Sequence, residues 1–121
     1  MATSYKVLAQ NKVTTGGTPV VLYYANPSSS VIQTIVSTIT ICNTGSTSTT
    51  YRIAVVPSAT SSTSTTVPTL VTENYVVYDA IVGGNETVSY TLGLTVDTYD
   101  KIIVNAGNSS VSFNAYGSET Q

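Results

Sequence analysis

The sequence predicts an all-β fold, an antiparallel β-sandwich of jelly-roll-like character with about eight strands. Three observations carry this. β-Branched residues fill Val31–Cys42, where only Gln33, Ser37 and Cys42 are neither Val, Ile nor Thr. Such side chains are stiff at χ1 and favour extended backbone. Glu86–Val96 alternates Val88, Tyr90, Leu92, Leu94 and Val96 against Thr87, Ser89, Thr91, Gly93 and Thr95, the period of a half-buried strand. No segment sustains a capped 3.6-residue period, and short apolar runs separated by turn signals point to a sandwich or barrel. With 121 residues, 41% of them apolar, the chain is expected to form one domain, 1–121, around an unstapled core.

In chain order, Ser4–Ala9 is expected as the first strand, with Tyr5, Val7 and Ala9 opposed to Lys6 and Leu8. Gln10–Gly17 is a polar loop. Pro19–Tyr24 (PVVLYY) is a short strand with Pro19 at its start, where a missing N–H is tolerated. Ala25–Ser30 is a turn by composition. Val31–Cys42 and Tyr51–Val56 are expected to form a long β-hairpin around Asn43-Thr44-Gly45, residues that tolerate positive φ. On that hairpin Ile35, Ile39 and Ile41 share a face with Tyr51, Ile53 and Val55. Val36, Thr38, Thr40 and Cys42 take the other face, opposite Arg52, Ala54 and Val56.

A Ser/Thr-rich loop at 58–69 follows, within which Ser58–Thr66 is expected to be the least ordered interior segment. Asn74–Val82 is a strand, Gly83-Gly84-Asn85 a turn, and Glu86–Val96 the alternating strand. Asp97–Asp100 turns the chain into strand Lys101–Ala106. After a turn at Gly107-Asn108 the last strand, Ser110–Tyr116, sets Val111, Phe113 and Ala115 on one face.

The composition narrows the chemistry. Charged residues are 8% and net charge is −2, against about 25% charged residues in ordinary domains. Four basic residues do not make a phosphate track, so nucleic acid is not an expected partner. No apolar run reaches the roughly 18 residues of a membrane helix, so no membrane partner is expected either. The N-terminal MATSYKVLAQ has no apolar stretch of the signal-peptide kind, which predicts cytosolic synthesis.

Histidine is absent, which removes the commonest general base and metal ligand. Asp97 and Asp100 fall short of the six to eight oxygens that calcium takes and are expected to brace their turn by bonding local amides. Gly83-Gly84-Asn85 lacks the Lys-Ser/Thr of a phosphate loop. No catalytic residue, no metal site and no cofactor are therefore expected, and the chain reads as non-enzymatic. The single Cys42 excludes an intrachain disulfide and is expected to be a buried, slowly reacting thiol.

Association is expected instead. Three lysines, Lys6, Lys12 and Lys101, are few to guard eight strands against edge-to-edge pairing. The face bearing Val36, Ala54 and Val56 is apolar enough to need a cover, supplied by the loop folding back, by the N-terminal segment, or by a partner. Nine tyrosines suit an interface of large side chains with low conformational entropy. The candidate interface residues are Val36, Ala54, Val56, Tyr75, Tyr78 and Tyr116, and the expected partner is a second copy in a dimer or trimer.

The segments Thr38–Pro57, Asn74–Val104 and Val111–Glu119, with CNTG, TYRIAV, VYDAIVGGNETVSYTLG and FNAYGSE within them, resemble small β-sandwich virion structural proteins and fibre-end modules of tailed bacteriophages, cyanophages prominent among them. The resemblance covers about half the chain. It implies a structural protein of the virion, made in the host cytoplasm, and carries over no active-site residue. A capsid decoration or cement protein is the first expectation, with the major capsid protein or other virion proteins as further partners. A tail, fibre or baseplate module touching the host surface is the alternative. A carbohydrate-binding β-sandwich is the rival from a different class.

Overall fold

The structure is a computed structural model that describes residues 2–26, 30–57 and 66–121. Most of the Ser/Thr-rich loop, residues 58–65, lies outside the described residues. The strands are β1 (Thr3–Lys12), β2 (Val20–Tyr24), β3 (Gln33–Asn43), β4 (Thr49–Val56), β5 (Tyr75–Val82), β6 (Thr87–Asp97), β7 (Lys101–Ala106) and β8 (Val111–Thr120). Every segment read as a strand from the sequence is one, with ends shifted by a few residues.

Two four-stranded sheets are formed, with orders β1-β8-β3-β6 and β2-β7-β4-β5. The antiparallel pairs β1–β8, β2–β7, β3–β6 and β4–β5 nest inside one another. That is the winding of a jelly roll: a long antiparallel ribbon wrapped into two layers. Phe113, Ile39, Ile41 and Val36 of the first sheet close against Tyr51, Ile53, Ile102 and Val104 of the second. Each such side chain withdrawn from water contributes about 1.5–3 kcal/mol.

The expected hairpin between Val31–Cys42 and Tyr51–Val56 does not form. β3 lies between β8 and β6, whereas β4 lies between β7 and β5 in the other sheet. The short connection after β3 crosses between layers. Asn43 holds it, donating to the Thr47 carbonyl at 2.8 Å and accepting from the Gly45 amide at 3.0 Å and the Ser110 hydroxyl at 2.8 Å. Tyr51 and Ile53 therefore meet Ile39 and Ile41 across the core. Alternation told which side chains point inward, but not which strand lies alongside.

A second correction concerns phase. Ladder register shifts between Val36 and Thr38 in β3, so Ser37 is an extra residue relative to β8. Before this bulge Thr34 and Val36 face inward; after it Ile39 and Ile41 do. Val36 is thus in the core, while Ile35 points out. β1 behaves alike: its register shifts between Val7 and Ala9, so Leu8 and Ala9 both pack on the core while Tyr5, which alternation groups with Ala9, is 85% exposed. In β6 the ladder passes from Thr91 to Leu94, Gly93 takes φ 64°, and Leu92 turns outward.

These bulges bear on association. Every edge strand carries extra residues: β1 at Leu8, β6 at Leu92-Gly93, β2 at Leu22, and β5 at Val76 and again at Tyr78-Asp79. Bulged edges twist away from the flat geometry that strand addition requires. The chain guards its edges by backbone irregularity where the scarcity of lysine suggested unguarded ones.

One polar network ties the layers at the end opposite the Asn43 loop. Tyr23 of β2 reaches Thr34 of β3 at 2.7 Å and donates to the Glu119 carboxylate of β8 at 2.5 Å. Lys6 of β1 pairs with the other Glu119 oxygen. Burial alone would raise the Glu119 pKa, but the hydrogen bonds from Lys6 and Tyr23 outweigh it and hold the carboxyl below its ordinary value.

Candidate interaction site on the outer face of the second sheet

The outer face of the second sheet is built from residues that alternate with its core side chains. Half of it is covered. Ala54 and Ile103 are ladder partners and point away from the core cluster, yet both are buried. Thr66 and Val67, in the segment leading into β5, reach this half. Lys101, wholly buried, donates to the Thr66 carbonyl at 2.6 Å. Its ammonium stands 5.1 Å from the Tyr24 ring centroid, and desolvation lowers its pKa. Val67 meets Val20 and Val21 of β2 along a groove. Of the covers considered from the sequence, the segment before β5 makes these contacts.

The other half is open and carries charge. Arg52 of β4 binds Asp79 of β5 through a fork, Nε to Oδ1 at 2.6 Å and Nη2 to Oδ2 at 3.3 Å. Its guanidinium lies 4.1 Å over the Tyr78 ring and 5.9 Å from that of Tyr75. Tyr75 and Tyr78 themselves meet edge to face, centroids 4.9 Å apart. The Arg52 hydrogen bond holds the Asp79 carboxyl below the ordinary carboxylate range, and the same bond raises the Arg52 pKa.

Local backbone explains the placement. Asp79 occupies the β5 bulge with φ 54°, a left-handed conformation that costs a residue with a Cβ roughly 1–2 kcal/mol. Aspartate visits it more readily than most residues. The bulge lets Val77 and Ala80, on either side of Tyr78-Asp79, both pack on the core. Asn74 fixes the entry to β5: its side chain accepts from the Val71 amide at 2.9 Å, closing the helical turn Thr72–Asn74.

Next to the fork is an apolar rim along β5. Ile81 is 69% and Tyr78 59% exposed, and Val76 and Val71 are about half exposed. A neighbouring cleft of 230 Å³ runs between Gly17, Thr50, Arg52, Asp79, Asn105 and Gly107.

Among the residues expected at an interface, Tyr75 and Tyr78 come together here. Val56 is half-buried on the same sheet face, beside Lys101. Val36 is in the core and Ala54 is buried, so neither offers surface; for Val36 the Ser37 bulge is the reason. Tyr116 is half-buried on the other sheet. Arg52 and Asp79 were not singled out from the sequence. The available signal was that each is the one charge in an apolar strand, YRIAVV and YVVYDAIV.

Elsewhere, Asp97 and Asp100 brace their turn: Asp100 accepts from the Asp97 amide and Asp97 from the Thr98 amide, both at 2.8 Å. Among the described residues no three acidic or sulfur side chains are grouped to hold a metal ion, and no helix is long and apolar enough to cross a membrane. No protein-family model matches the chain, and no curated protein matches it.

Proposed function

We propose that the chain is a non-enzymatic structural protein of a tailed-phage virion, a capsid decoration or cement protein. It acts as a homo-oligomer seated on the major capsid protein or other virion proteins. The resemblance of Thr38–Pro57, Asn74–Val104 and Val111–Glu119 to such modules supports this reading. The observation that carries it is the exposed aromatic and aliphatic rim of β5, Tyr78 with Val76 and Ile81, continued by Val71 before the strand. An apolar patch bounded by polar residues suits protein contact, and tyrosine beside arginine is the composition of interface anchors. Because each edge is bulged, contact runs through side chains and not through strand addition.

The test is mass-spectrometric copy number in purified particles, paired with Tyr78→Ser/Ile81→Thr. Hundreds of copies per particle, lost in the double variant while the free protein stays folded, is the expected result. A handful of copies would place the chain in the tail or a fibre instead. Absence from particles would end the reading.

A further inference from the structure

We infer that the cleft beside the Arg52–Asp79 fork binds a neutral saccharide, one sugar ring in the cleft. The site is distinct from the apolar rim of β5, and the inference does not depend on a place in the virion.

The walls are preorganised. Gly17 donates from its amide to the Ala106 carbonyl at 2.8 Å, and Asn105 donates to the Gly17 carbonyl at 3.3 Å. The Asn105 oxygen accepts from the Ala106 amide at 2.8 Å. The Gly107 amide donates to the Thr50 carbonyl at 2.9 Å. The β1–β2 loop, β4 and the end of β7 are thereby fixed to one another, and the fork closes the remaining side. Gly17, at φ 84° with nothing within 4 Å of where a Cβ would stand, leaves that wall low and open.

The lining selects the ligand class. Arg52 and Asp79 set nitrogen donors and carboxylate acceptors side by side, each with N–H groups or lone pairs beyond those the fork uses, and Thr50 and Asn105 add a hydroxyl and an amide. A vicinal diol is the complement, since each hydroxyl donates and accepts at once. An anion would meet the Asp79 carboxylate, with the Arg52 charge already compensated. A cation would meet a carboxylate already engaged by arginine. An aliphatic ligand would strip water from the charged fork and return no hydrogen bond for it. The 230 Å³ cleft is of the size of one hexose.

Asp79 gives the independent argument. A left-handed φ inside a strand is most easily met by glycine, yet the chain places there a side chain whose carboxylate aligns Arg52 along the cleft wall. Strain kept at such a position is a mark of a functional site.

The test is amide-shift NMR on the full chain with glucose, galactose, mannose, rhamnose, N-acetylglucosamine and their disaccharides, each at millimolar concentration. Phosphate and sulfate serve as anion controls. At least one saccharide is expected to shift the Thr50, Arg52, Asp79 and Gly107 amides saturably, and the anions are not. Asp79→Gly relieves the backbone and should stay folded, while affinity falls by about tenfold or more. Arg52→Gln should lose affinity likewise and serves if the glycine variant unfolds. No saccharide shifting these amides, shifts confined to another region, or undiminished binding by the folded variants would each overturn the inference. None of these results alters the particle copy number, so the two readings fail separately.

Discussion

Gly117 of β8 faces the Ser37 bulge of β3 with no room for a side chain: a Cβ there would run into the Ile35 carbonyl oxygen and lie 3.1 Å from the Ser37 amide nitrogen. The bulge that moves Val36 into the core depends on that close approach. Gly117→Ala is therefore expected to cost about 1–3 kcal/mol, the range of overpacking. Urea unfolding measures it. Ala115→Gly two residues away, which only trims the core, serves as the comparison for a change that does not push on the bulge.

The Tyr23–Glu119–Lys6 network predicts an acid limb of stability. Glu119 has a folded pKa below its ordinary value of 4.5. It thus contributes stability that is present above the unfolded value and is lost as pH falls through the folded one. Glu119→Gln should flatten the unfolding midpoint between pH 4.5 and lower pH. Tyr23→Phe leaves the buried carboxylate one donor short and should cost about 1–3 kcal/mol at neutral pH. An unchanged acid limb in the glutamine variant would remove Glu119 from this role.

Two tyrosines should resist base. Burial, then the Glu119 hydrogen bond, raise the Tyr23 pKa well above 10; burial, then the Tyr90 hydrogen bond, do the same for Tyr51. A raised folded pKa gives stability that is complete below pH 10 and lost as pH climbs toward the folded value. Spectrophotometric titration should show these two phenols ionising last, together with unfolding. Early ionisation in a folded chain would contradict the packing of Tyr51 against Phe113 and Tyr90, at centroid distances of 6.5 and 6.3 Å.

Cys42 is half-buried on the outer face of β3, between Thr87 of β6 and Ser112 of β8, and not fully buried as its β-branched surroundings suggested. It should react with a thiol reagent in the native protein at a measurable rate, slower than in urea. Cys42→Ser should change stability by less than about 0.5 kcal/mol, as outward-facing substitutions do. A cost above about 1 kcal/mol would mean that the sulfur packs where the surface picture has it free.

Much of the fold was legible in residue types. β-Branched runs and strict alternation located all eight strands, because the pleat itself imposes period two and Val, Ile and Thr favour it. Scarce charge, the missing histidine and the turn-forming roles of Asp97 and Asp100 could also be read locally, as could the value of Tyr75 and Tyr78 as surface groups.

Partner choice and phase could not. A strand's own pattern is the same whether its neighbour is next in sequence or the fold wraps it beside a distant one, so β3 and β4 looked like a hairpin although they lie in different sheets. Bulges are the second reason. One extra residue reverses every side chain beyond it, and Ser37 announces nothing that Gly117, eighty residues on, does not have to permit (positions 37 and 117). The Arg52–Asp79 fork depends on both: on β5 lying next to β4, and on a bulge that turns Asp79 toward Arg52. Composition determined that this chain would be a sandwich of strands; only tertiary structure decided which strands touch, which face the segment before β5 reaches, and where two isolated charges meet.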